Sequence, residues 1–87
     1  MKQSETAAAI NVEIGRRLRC IREAQVPLIT IEMAGELAGM RKQALGSIER
    51  GKQRATGADI VLLAQLYGIE PWKILHENWC ELTIGSK

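Results

Sequence analysis

Apolar residues recur at helical spacing in five short stretches, separated by glycine, proline and capping residues. Ile14, Leu18 and Ile21 lie at i, i+4 and i+7 and define one face of a first helix. That helix is predicted from about residue 8 to 25, ending before Pro27, since the residue preceding a proline disfavours the α region. Thr30 can cap a second helix by accepting a free backbone N–H. Glu32 follows in its first turn, where the helix dipole favours an acid. Ala34, Leu37 and Ala38 keep the period, and Gly39 can take the positive φ that ends a helix. A third helix is predicted over 41–50, with Ala44, Leu45 and Ile48 turned inward and Gly51 closing it. Thr56–Gly57–Ala58–Asp59 has the form of a capping box. It opens a fourth helix carrying Ile60, Leu63, Ala64 and Tyr67 and closed by Gly68. Pro71, at a favoured first position, starts a fifth over 71–77 with Trp72, Ile74 and Leu75. The last ten residues fit a strand, a helical extension or an extended arm equally well.

An all-α fold of five helices follows, in a chain of 87 residues that makes one domain. Residues 1–9 read as an N-terminal arm, 10–77 as the domain and 78–87 as a tail. A domain of this size buries only roughly 60% of its unfolded surface, so a second copy would add needed burial. Phe is absent, and the core must come from Leu, Ile, Val, Met and Ala. Trp72 and Trp79 with Leu75, Leu82 and Ile84 form another notable cluster, read as core packing or as a dimer seam. No long apolar run is present, no signal segment opens the chain, and no membrane is implied; a cytoplasmic location with Cys20 and Cys80 reduced is expected. Four closely spaced metal ligands are lacking, and no metal or cofactor is expected. A disulfide between the two cysteines is the alternative to reduced thiols.

Net charge is only +2, yet its distribution is uneven. Residues 41–54 hold Arg41, Lys42, Arg50, Lys52 and Arg54 against one acid, Glu49. A solvated basic face would look the same, so charge alone leaves nucleic acid open as a partner. The helical pattern around this segment is more informative. Ala34 and Gly35 are small, as a closely crossing pair of helices requires. Gly39 supplies the turn and Met40 the apolar plug after it, and Leu45 with Ile48 anchors a helix whose Arg41, Lys42, Gln43, Gly46 and Ser47 face outward.

These residues, with Ile14–Gly15–Arg16–Arg17–Leu18–Arg19, Ile48–Glu49–Arg50–Gly51–Lys52 and Tyr67–Gly68–Ile69, resemble the five-helix, lambda-repressor-like domain of the Cro/phage-repressor or Xre family. The resemblance covers about 60 residues, from Ile14 to Leu75, and sets the helix-turn-helix at helices 2 and 3. It implies a sequence-specific regulator of double-stranded DNA, a repressor acting as a homodimer on an inverted repeat. Lys42, Gln43 and Ser47 would then reach base edges, while Arg41, Lys52, Gln53 and Arg54 would grip the backbone. Arg22 would pair with Glu49 inside the fold. The resemblance also implies a glutamine near the start of helix 2, where this chain has Ile31. The segment Leu28–Met33 is unusually apolar, and a shift of one residue would bring Met33 into the core. Gly46, inside the presumed reading helix, costs about 1 kcal/mol relative to alanine, and is read as close approach to DNA or to helix 2, or as tolerance on an exposed face. The rival function is an antitoxin or other protein-interaction module on the same fold. Catalysis is not expected: His76, Glu77 and Cys80 lack an oxyanion site or a pocket.

Overall fold

The computed structural model describes residues 6–75, and among these it is all helical. The elements are α1 (Ala7–Glu23), α2 (Ile31–Ala38), α3 (Lys42–Glu49), α4 (Gly57–Tyr67) and α5 (Pro71–Leu75). Local chemistry explains the boundaries. The Thr6 hydroxyl accepts the Ala9 N–H at 3.1 Å, so α1 takes in residues 7–9. It ends two residues before the predicted limit, where the Ala24 N–H turns back on the last carbonyls. Thr30 caps α2 through the Met33 N–H at 3.1 Å. At α4 both halves of the capping box form: Asp59 N–H donates to Thr56 at 3.1 Å and Thr56 N–H donates to the Asp59 carboxylate at 3.0 Å. Gly39 and Gly68 both end their helices at φ 72°, where any side chain would be strained.

The helices close a ring of neighbours: α1 packs on α3, α3 on α2, α2 on α4, α4 on α5, and α5 back on α1. Leu18 and Ile21 of α1, Leu45 and Ile48 of α3, Leu63 of α4 and Ile74 of α5 fill its centre and are fully buried. Ala34 and Ala64 let α2 and α4 approach. α1 crosses the end of α3 so closely that a Cβ on Gly15 would collide with the Ile48 and Glu49 carbonyl oxygens. At Gly35 a Cβ would lie 2.9 Å from the Met40 oxygen.

Several side chains depart from the sequence pattern. Leu37, on the helical period of α2, is 64% exposed, because one turn of Ala34 and Ala38 suffices against α3 and α4. Ala34 is buried and Met33 exposed, so α2 keeps the register without the one-residue shift. Trp72 and Leu75 are 52% and 53% exposed. Of the described α5 residues only Ile74 is buried; residues 76 and 77 of the expected fifth helix lie outside the described residues. Arg17, by contrast, is buried: its Nη1 donates to the Ile74 carbonyl at 3.2 Å and fastens α5 to α1. Cys20, expected as a thiol, is disulfide-bonded; the chain's other cysteine, Cys80, lies outside the described residues, as do Trp79, Leu82 and Ile84.

One ion pair crosses the interior. Arg22 Nε and Nη2 donate to the two Glu49 carboxylate oxygens at 2.8 and 3.0 Å. Its Nη1 donates to the Ile29 carbonyl at 3.0 Å. Both residues are buried. The hydrogen bond that Arg22 donates to Glu49 raises the Arg22 pKa against the opposing effect of burial. Nearby, burial and the Glu49 charge push the Tyr67 phenol upward, and its hydroxyl has no hydrogen-bond partner among the described residues.

Three stability outcomes follow, all readable by urea unfolding monitored by circular dichroism. Arg22→Ala or Glu49→Ala strands one buried charge and is expected to cost about 3–5 kcal/mol, whereas Arg22→Met/Glu49→Leu recovers most of that loss. Gly15→Ala is expected to destabilise by about 1–3 kcal/mol through overpacking, although alanine is favoured by about 1 kcal/mol in a helix interior. Tyr67→Phe removes a buried hydroxyl without a protein partner and is expected to leave stability unchanged or raised.

Candidate nucleic-acid interface

The turn, the start of α3 and the loop after it carry the exposed cations Arg41, Lys42, Lys52 and Arg54, while α2 adds only the acids Glu32 and Glu36. The turn is held by Met40 N–H donating to the Gly35 carbonyl at 2.7 Å and by Gly39 N–H to Glu36 at 3.3 Å. Met40 is half-buried and packs on the core, the plugging role its position suggests. With the turn set, α3 starts at Lys42 and has no side-chain cap at Arg41. The positive end of the helix dipole adds to the cations beside it.

Leu45, Ile48 and Glu49 turn inward, which leaves Arg41, Lys42 and Gln43 exposed at the start of α3 and Ser47 half-buried one turn on. The stretch after α3 is tied back to it: Lys52 and Gln53 N–H groups donate to the Ser47 carbonyl at 2.9 and 3.3 Å. Lys52, Gln53 and Arg54 are exposed beyond that tie. The residues singled out in the sequence thus fall into two adjoining groups, one on α3 and one on the loop that follows it.

Two contributors to this surface carried no role in the sequence reading. Glu32 of α2 accepts from Lys42 Nζ at 2.9 Å. That hydrogen bond, and then the Lys42 charge, hold the exposed Glu32 carboxyl below its usual value. Arg50 lines a cleft between α2 and α3 together with Ile31, Lys42, Gln43, Gly46 and Ser47. No sequence period links residues 32 and 42; only the turn geometry brings them together. Arg50 had been visible as one charge of the basic segment. Gly46 is buried rather than facing open solvent. A Cβ there would sit 3.1 Å from Arg50 Nη1 and 3.6 Å from Ile31 Cδ1, so the glycine accommodates both.

Among the described residues no three His, Cys, Asp or Glu side chains cluster as a metal site would require. No helix there is long and apolar enough to cross a membrane.

Comparison with known proteins agrees with this geometry. The sequence model of the helix-turn-helix domain matches residues 13–72. Among solved structures, the restriction-modification controller protein C.AhdI from Aeromonas hydrophila is similar, with a TM-score of 0.69 and 34% identity. The alignment covers 78% of this chain and 98% of that one. A comparison with curated proteins finds no match. The match of a family model to most of the chain, on a fold that sets exposed cations at the start of α3 and in the loop after it, places the chain in the helix-turn-helix domain family of DNA-binding transcriptional regulators.

Proposed function

We propose that the chain is a cytoplasmic, homodimeric repressor that reads an inverted repeat of double-stranded DNA with α3 in the major groove. The observation that carries this reading is the exposure of Lys42 and Gln43 side by side on the first turn of α3, with Arg41 before them and the fastened 52–54 loop beyond. Lysine can donate to guanine O6 and N7, and glutamine can make a bidentate pair with adenine N6 and N7. Ser47 serves either base or phosphate. Arg41, Lys52, Gln53 and Arg54 contact the phosphate backbone and supply affinity without sequence information. The similar C.AhdI is itself a controller protein, which supports a regulatory role, and the role proposed here is binding, not catalysis.

The exposed Trp72 and Leu75 of α5 support a dimer seam, with Trp79, Leu82 and Ile84 as candidate contributors from the tail. A two-fold dimer would set two α3 helices about one DNA turn apart and so demand an inverted repeat. A protein partner, as for an antitoxin, is the competing use of the same apolar side chains.

Lys42 must leave Glu32 to reach a base. Glu32 therefore competes with DNA for the same ammonium group, and its own charge repels phosphate. Glu32→Gln is expected to tighten DNA binding severalfold, measured by fluorescence anisotropy on a labelled duplex.

Selection from random duplexes at about 150 mM salt, where non-specific phosphate contacts are weakened, tests the whole reading. The wild-type chain is expected to enrich an inverted repeat, and Lys42→Ala/Gln43→Ala to lose it. Absence of any enriched sequence with the wild type would overturn the proposal and turn attention to a protein partner.

A further inference from the structure

The cleft between α2 and α3 contains one feature that hydrogen bonding to DNA does not use. Ile31, first residue of α2, is half-buried and packs against the core. It forms an apolar wall of a cleft whose other lining residues, apart from Gly46, are Lys42, Gln43, Ser47 and Arg50. Gly46 adds no side chain to the floor, and a Cβ there would meet Arg50 Nη1 at 3.1 Å and Ile31 Cδ1 at 3.6 Å. The result is a notch with one apolar wall, Ile31, beside the Arg50 guanidinium and among other hydrogen-bonding side chains, on the face that carries the proposed base-reading residues.

We infer that Ile31 is a specificity-determining residue whose side chain, over Gly46, takes a pyrimidine 5-methyl group in the major groove. This rests on the DNA-reading role proposed above. The cations of the rim favour DNA as the occupant. Within the major groove, base edges present donors, acceptors and one apolar group, the methyl at C5 of thymine. A branched aliphatic side chain can make no hydrogen bond there, so the methyl is its matching partner. The same group occurs on 5-methylcytosine, and the two sources are separable by experiment.

The test uses the full chain and duplexes carrying the sequence it selects, with each thymine replaced in turn by deoxyuridine. Loss of one buried methyl contact is expected to weaken wild-type binding roughly fourfold at one position per half-site. Ile31→Ala, and the milder Ile31→Val that removes only Cδ1, should show a much smaller difference between thymine and uracil at that position. Thermal melting of both variants establishes that they are folded. At the same position, tighter binding to 5-methylcytosine than to cytosine identifies the methylated base as a second source, and equal binding confines the notch to thymine. Specific binding with no uracil-sensitive position, or with an undiminished penalty in folded Ile31→Val and Ile31→Ala, overturns the inference and leaves the DNA-reading role standing. Absence of binding to every duplex overturns that role and the inference with it.

Discussion

The rest of the structure depends on the Arg22–Glu49 pair. Arg22, near the end of α1, holds the α1–α2 connection through Nη1 on Ile29 and grips the last residue of α3 with the Nε–Nη2 edge of its guanidinium. An aliphatic contact at that place would stabilise comparably, but it would tolerate sliding. A planar fork on a carboxylate does not: it sets both the separation and the angle of the two helices. Gly15 makes the arrangement feasible, because only a residue without Cβ allows α1 to pass over the final carbonyls of α3. The ion pair and the glycine thus act as one joint, and the orientation of α3 relative to the core is set there.

The small core makes this joint more important. Six fully buried large side chains, drawn from four helices, form the centre of the ring. α2 contributes mainly alanine and glycine to the interior, so little apolar burial holds it. Its position comes instead from the Thr30 cap, the Gly39–Met40 turn and close backbone contact at Gly35. Backbone proximity, more than side-chain volume, thereby defines the spacing between α2 and α3.

Much of this was legible in the sequence because it rests on local rules. The period of Ile14, Leu18 and Ile21, the capping residues Thr30 and Thr56 and the glycines 39 and 68 each specify an element from a few neighbouring residues, and all five helices follow. The exposed placement of Lys42 and Gln43 could be deduced once Leu45 and Ile48 were turned inward. What was not legible depends on distant parts of the chain. Arg17 reads as one more surface cation until α5 returns to cover it. Trp72 reads as core or as a dimer seam, and only its exposure in the folded chain, where Ile74 alone of α5 is buried, decides against core. Leu37 obeys the helical period, yet period alone does not say how wide an apolar face its neighbours need. The Glu32–Lys42 contact spans a turn whose geometry no spacing rule encodes.

α3 is secured at both ends. The Gly39–Met40 turn fixes where it begins; Arg22 on Glu49, and the Lys52 and Gln53 amides on the Ser47 carbonyl, fix where it stops. An eight-residue probe so held has little freedom to re-aim itself. In the proposed dimer, misfit between two such helices and a given operator would be absorbed by bending and twisting the double helix. The elastic cost of doing so varies with base sequence, even at base pairs that no side chain touches. Rigidity in the protein would then turn the stiffness of the DNA into a second code, read alongside the base edges.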